Sequence, residues 1–352
     1  MPTASRRRMF FKPLADTARR VTEAATPTAE QKRTGGYIGR VSRMAMACRF
    51  EIAFPWTGSE PAQAAALRAL DVIDQVEQEL SYYRPGSELS RLNRLAGSNP
   101  VVTTPRLFRL LQLAETVYRE TAGAYDLTST PLSDCWGFLQ REPRVPSQGS
   151  LQDALARVGM HRVQLDDRTG SVSFSDPRVE LNTNSIGKGF ALDEAAAVMR
   201  EHSISNALLH GGGSSAVALG SCSDVRGWQV DVQHPSHPDE PLARAFVRDC
   251  GFSTSGAEEQ GFEAEGKRYG HLIDPRTGYP AEGMLSVSVA APTAALAEAL
   301  STAFFVMGTA AAQAYCANHP EIRALLVPDA GAGQAAEPLI VGFRPDEMEV
   351  LT

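Results

Sequence analysis

Apolar residues recur at intervals of three and four at Leu67, Leu70, Ile73, Val76 and Leu80, and the spacing returns at Leu107, Leu110, Leu111, Ala114 and Val117. That period lines one face of a helix, so it predicts amphipathic helices over 61–80 and 105–121. Between them, Ser87 is placed to cap a short helix carrying Leu89, Leu92 and Leu95, and Gly123 to stop the second long helix. Elsewhere the period is two. Met46, Cys48, Phe50, Ile52 and Phe54 alternate with Ala47, Arg49, Glu51 and Ala53, predicting a half-buried strand that opens the folded unit at Met44 and ends at Pro55. After a helix over 149–159, Val163 and Leu165 face Val172 and Phe174 across Asp-Asp-Arg-Thr-Gly, a hairpin pattern. Further strands are predicted over 179–181, 207–209, 216–219, 227–233, 244–248, 286–290 and 323–327, with a helix over 188–202. Hairpins mixed with helices favour an α+β fold of mixed, largely antiparallel sheets flanked by helices over a doubly wound parallel sheet. Residues 1–40, rich in Arg, Thr, Ala and Glu, read as a poorly ordered extension or linker, which leaves 41–352 as a single unit.

Polar residues break this pattern in a few places. His271-Leu-Ile-Asp-Pro-Arg-Thr-Gly278 reads as a tight corner, because Pro275 presets φ and Gly278 supplies a positive φ. It holds His271, a candidate base or orienting group for an attacking hydroxyl, and Asp274, which could ligate, orient or simply cap the turn. On the helix that follows, Glu298 and Thr302 stand four residues apart on a face otherwise filled with Ala and Leu. A carboxylate and a hydroxyl at that spacing can hold a hard cation, although such a pair alone more often marks a solvated edge. Leu181-Asn-Thr-Asn-Ser-Ile-Gly-Lys-Gly189 lies between a predicted strand and a helix start, where N–H groups point at an anion such as a pyrophosphate. His210-Gly-Gly-Gly-Ser-Ser215 lets a backbone approach a ligand closely. Tyr83 and Tyr125 can stack on a ring, and Met46 can pack against one through its sulfur.

The blocks, taken in order, resemble the ApbE-type FAD:protein FMN transferase family. Tyr82-Tyr-Arg-Pro-Gly-Ser-Glu-Leu-Ser-Arg-Leu-Asn93 is similar to one family element. Gly123-Ala-Tyr-Asp126, with Pro131-Leu and Trp136-Gly-Phe138, is similar to the next. Ile186-Gly-Lys-Gly189, His210-Gly-Gly-Gly213, His271 to Gly278 and Ala291 to Ala303 follow in the family's order, so the resemblance spans Met44 to Gly308. It implies FAD as a substrate, Mg²⁺ as the cation, and FMN transfer to a Thr or Ser hydroxyl of an acceptor flavoprotein with release of AMP. FAD hydrolysis to FMN and AMP, and FAD binding without turnover, stay open beside it. The resemblance assigns Met46, Tyr83, Ala124, Tyr125, Asp126, Asn182, Lys188 and Ile273 to the FAD pocket, and Ser185, Glu298 and Thr302 to the metal. This chain departs from the family at Asn182, Ser214 and Glu298, where Asp is usual, and at His210, where Asn is usual.

Composition narrows the rest. With 352 residues, 21% of them charged, and a formal net charge of −7, the chain lacks the basic face of a general nucleic-acid binder. Its five cysteines are scattered without a Cys-x-x-Cys pair, which reads as buried free thiols rather than disulfides or a zinc site. No apolar run is long enough to span a bilayer, and Ser5-Arg-Arg-Arg-Met-Phe-Phe is followed at once by Lys-Pro-Leu-Ala-Asp, so a cytoplasmic protein is expected.

Overall fold

The computed structural model describes residues 37–56, 60–222, 226–237, 239–257, 261–264, 266–331 and 336–351, so 1–36 of the predicted extension lie outside the described residues. In chain order the elements are β1 (Tyr37–Ala45), β2 (Cys48–Trp56), α1 (Glu60–Leu80), α2 (Glu88–Leu95), β3 (Val101–Val102), α3 (Pro105–Glu120), α4 (Thr130–Cys135) and α5 (Gln148–Leu155). Next come β4 (Val163–Asp166), β5 (Ser171–Phe174), α6 (Gly187–Glu201), β6 (Ala207–Gly211), β7 (Ser215–Leu219), β8 (Trp228–Gln233), β9 (Pro241–Val247), β10 (Cys250–Gly256), β11 (Gly261–Ala264) and β12 (Lys267–Gly270). The chain continues through β13 (Met284–Ala291), α7 (Ala294–Met307), α8 (Thr309–Asn318), β14 (Arg323–Pro328), β15 (Leu339–Val341) and β16 (Met348–Val350).

An eight-stranded sheet ordered β1-β2-β6-β7-β10-β13-β14-β15 forms the centre, and its neighbouring strands pair antiparallel. The α+β expectation holds. Period-two alternation splits the two faces. Phe50, Ile52, Phe54, Leu209, Val217, Val287 and Leu326 enter the main core with residues of α1, α6 and α7. Ala53, Leu208, Ala216, Ala218, Phe252 and Leu325 enter a second core under the small sheet β16-β9-β8. The amphipathic helices form where the spacing predicted them; Ser87 caps α2 by accepting the Ser90 N–H at 3.0 Å.

Besides β1, which begins at Tyr37 inside the predicted extension and ahead of Met44, four details differ from the pattern. Met46 is not within a strand: β1 and β2 form a hairpin whose turn residues Met46 and Ala47 have φ of 49° and 56°. Two positive φ values at the centre of a two-residue turn match the twist of the flanking strands, so a run that alternates in sequence is folded back on itself. Second, β2 continues through Pro55; pairing with β6 covers only Phe50–Ala53, and proline is tolerated where a strand has one neighbour. Third, 179–181 is irregular chain, held by Asn93, whose side chain accepts the Leu181 N–H and donates to its C=O, each at 2.9 Å. Fourth, Cys250-Gly-Phe-Ser-Thr-Ser-Gly256 is a central strand despite its turn-like composition, because α7 lies against its small residues.

That packing is tight. A Cβ on Gly189 would meet the Ala294 carbonyl oxygen at 2.3 Å, and one on Gly251 would meet the Ala294 nitrogen at 2.2 Å. Gly189→Ala would gain about 1 kcal/mol in helix propensity, but overpacking against backbone costs about 1–3 kcal/mol. We expect net destabilisation in urea unfolding; a variant as stable as the parent would contradict this contact.

Candidate active site

The start of α6 faces the second turn of α7. Lys188 donates through Nζ to Glu298 Oε1, and Gly189 donates its backbone N–H to Glu298 Oε2 at 2.6 Å. Ser215 of β7 adds its hydroxyl to Glu298 Oε1 at 3.3 Å. Glu298 is therefore buried, not a solvated edge, and its charge is met by a cation and a helix N-terminus. Hydroxyls surround it. Ser255 lies 2.9 Å from Ser301 and 3.3 Å from Thr302, while Thr302 donates to the Glu298 carbonyl at 3.2 Å.

Ser185 sits just before α6 and donates to the Tyr125 hydroxyl at 3.2 Å. Tyr125 is fully buried. Burial pushes its phenol well above the ordinary range, and the Glu298 charge adds to the rise, so the ring stays neutral close to the carboxylate. Asn182 caps this loop, its Oδ1 accepting the Asn184 N–H at 3.0 Å and its own N–H reaching the Leu127 carbonyl at 2.9 Å. At the rim, exposed Tyr83 accepts from Asn184 Nδ2 at 3.1 Å and meets Tyr82 edge-on. The glycine loop closes another side: a Cβ on Gly212 would lie 3.1 Å from Cys48 Sγ and 3.6 Å from Lys188 Cδ. Gly212 thus lies against both Lys188 and Cys48, the residue that follows the Met46–Ala47 turn.

The Asp274 corner joins the cluster through the Gly123–Asp126 block. A Cβ on Gly123 would be 3.7 Å from Arg276 Cγ, one residue from buried Ala124. The Asp274 carboxylate accepts from the Arg276 N–H at 2.9 Å and from its Nε and Nη2 at 2.8 Å, and the Asp274 carbonyl accepts the Gly278 N–H at 2.8 Å. Of its three possible roles, capping the turn is the one these bonds serve. Trp136 fixes the corner by donating to the Gly278 carbonyl at 2.8 Å, and half-buried His271 stands at its entrance, directly after β12.

Two predicted pocket residues spend their side chains on packing. Ile273 is buried with Leu132, Trp136, Leu151, Ala154 and Val158. Asp126 accepts from the Thr128 N–H at 2.7 Å, the Thr128 hydroxyl at 2.6 Å and the Met160 N–H at 3.1 Å, tying the block to the turn before β4; burial raises its pKa against these bonds.

The donors fit Mg²⁺ of one kind. Among the described residues no group of three or more His, Cys, Asp or Glu could hold a metal ion. One carboxylate with hydroxyls is too little for an all-protein cage, but enough for an ion that keeps phosphate and water ligands.

Sequence reasoning reached Ser215 only as the end of the glycine block, valued for its backbone, and missed Ser253 and Ser255 in β10, because serines in short strands carry no motif. It also put Glu51 on a solvated face. The second core covers that face, and Glu51, 4% exposed, is held by Arg40 and Arg49 at 2.7 Å each, with His210 Nε2 at 3.5 Å. Burial alone would raise its pKa; His210 and then Arg40 outweigh it and hold the carboxyl down at about 2. A depressed folded-state value contributes stability that is complete above the ordinary value of about 4.5 and is lost as pH falls towards 2. Urea midpoints should therefore fall across that window, and Glu51→Gln should lower stability at pH 6 while flattening the acid loss; an equal acid loss in the variant would remove Glu51 as its source.

A cationic helix start stands beside a buried carboxylate and a bank of hydroxyls on an antiparallel α+β scaffold, an arrangement whose donors could meet an anionic ligand. The chain belongs to the ApbE family, whose model matches residues 44–326. A Treponema pallidum protein named FAD:protein FMN transferase is 34% identical over 281 residues, covering 75% of this chain and 77% of its own length. A Salmonella typhimurium protein of the same name is 30% identical over 302 residues, covering 83% and 82%. Among solved structures, the ApbE protein of Thermotoga maritima matches with a TM-score of 0.76 at 27% identity, over 86% of this chain and 96% of its own. The flavin transferase ApbE from Vibrio cholerae matches with a TM-score of 0.76 at 25% identity, over 87% and 98%. No helix among the described residues is long and apolar enough to cross a membrane.

Proposed function

We propose that this chain transfers the FMN half of FAD to a Thr or Ser hydroxyl of an acceptor flavoprotein, with Mg²⁺, and releases AMP. The hydroxyl oxygen bonds to the FMN-side phosphorus, the bond from that phosphorus to the AMP phosphate breaks, and the hydroxyl proton passes to His271. The observation that carries this reading is the Lys188, Gly189 and Glu298 cluster at the start of α6, which sets a cation and a helix N-terminus against one buried acid. Glu298 and Thr302, together with Ser185, would hold Mg²⁺, which when bound would neutralise charge developing on the pyrophosphate. Lys188 and the loop N–H groups orient the phosphates, and positioning plus charge neutralisation supplies most of the rate, as in other phosphoryl transfers. Met46, Tyr83, Ala124, Tyr125 and Asn182 line the FAD pocket, while Asp126, Ile273 and Asp274 hold its walls in shape. The whole of 41–352 acts as one unit in this reading, because the central sheet takes strands from both its ends.

Calorimetry against FAD and riboflavin tests the dinucleotide site. FAD should bind more tightly, since the phosphates have partners that riboflavin cannot use. Equal affinities would remove the pyrophosphate site and this reading with it.

A further inference from the structure

The two helices that begin at the site hold each other by their first turns. Glu298 of α7 accepts the N–H of Gly189, the third residue of α6, at 2.6 Å. In return, Asp193 of α6 accepts the N–H groups of Ala294 and Ala295, the first two residues of α7, at 2.8 and 2.9 Å. Thr293 takes the Leu296 N–H at 3.2 Å, so side chains satisfy the first three amides of α7, two of them from another helix. Helix N-termini leave such donors open, and a carboxylate there also meets the positive end of the dipole. Gly189 and Gly251 press on Ala294 from two sides, which leaves the start of α7 little freedom to shift.

From this reciprocal capping we infer that Asp193 is a positioning residue: it fixes the start of α7, and so sets where Glu298 and Thr302 stand relative to Lys188. The inference rests on the reading of Glu298 and Thr302 as the metal-holding pair. Asp193 bonds to backbone amides and acts through the helix. Without it α7 keeps Thr293 as its cap but loses one of its two side-chain ties to α6, and Glu298, left to hold the helices alone, can drift from Gly189 and Lys188. The linkage runs both ways. Loss of Asp193 should loosen the start of α6 as well as that of α7, whereas an ordinary local cap would loosen α7 alone.

The test uses full-length Asp193→Ala and Asp193→Asn, with Asp193→Glu as a charge-retaining variant should either fail to fold. Hydrogen exchange reads the lock without any turnover. Peptides covering 187–192 and 293–299 should both exchange at least about tenfold faster, with the β6–β7 hairpin unchanged. In the transfer assay, the Mg²⁺ concentration giving half-maximal rate should rise about tenfold while KM for FAD at saturating Mg²⁺ stays within about twofold, and Asp193→Glu should recover part of the loss. Faster exchange confined to 293–299, or an unchanged Mg²⁺ requirement, would overturn the inference. If the parent enzyme transfers no flavin, the functional reading fails, and exchange still decides the lock: both segments faster supports it, one or neither refutes it.

Discussion

Glu298→Gln is expected to lower Mg²⁺-dependent flavin transfer by at least about 10²-fold. Charge neutralisation by a bound cation is worth several kcal/mol at the transition state, and each 1.36 kcal/mol corresponds to about tenfold in rate. The substitution also disturbs the apo site. Glutamine has one acceptor oxygen where Glu298 uses two, so either the Gly189 N–H or Lys188 loses its partner, at a cost of about 1–3 kcal/mol in stability. Lys188 keeps its charge at the start of α6 in the variant, so FAD affinity measured without metal should not fall. Glu298→Asp keeps the charge but withdraws the oxygens by one methylene, and should retain part of the activity at raised Mg²⁺. Transfer rates across a Mg²⁺ titration, set beside FAD binding in chelator, check both variants. Wild-type behaviour at limiting Mg²⁺ would place the ion elsewhere.

His271→Asn should depress flavinylation far more than FAD binding. Proton transfer from the hydroxyl is needed only along the reaction coordinate, and general-base assistance is typically worth about 10²- to 10⁴-fold. The corner that presents His271 is held by the Asp274 to Arg276 bonds and by Trp136 on the Gly278 carbonyl, which the substitution leaves in place. The variant should therefore fold and bind FAD as the parent does. Covalent flavin on an acceptor, followed by fluorescence on a denaturing gel, measures the loss; an undiminished signal would strip His271 of its role.

Much of this site was legible because its residues sit in local blocks. Pro275 and Gly278 announce a corner, Gly187 and Gly189 flank a lysine at a helix start, and Glu298 and Thr302 share a helix face, all within reach of short-range rules. What was not legible depends on who packs against whom. Glu298 looks like a solvated edge until Lys188 and Gly189 of α6 and Ser215 of β7 are brought to it by two other stretches of chain. Glu51 alternates with apolar neighbours as a surface residue would, and only the second core and its two arginines make it a buried ion. The Met46 hairpin was read as continuous strand because alternation survives across a two-residue turn, where neither residue is a glycine to mark it. Asp193 carries no motif at all; its role exists only once the start of α7 is set against α6.

The most direct test incubates the purified chain with FAD, Mg²⁺ and a flavoprotein from the same genome that carries its Thr or Ser flavinylation site, then measures AMP by chromatography and covalent flavin on the acceptor in the same tube. The account predicts acceptor-bound FMN and AMP in equal amounts, both abolished by chelation of the metal. AMP without labelled acceptor would make the chain a FAD pyrophosphatase, and neither product would make it a binding protein; either result contradicts the account.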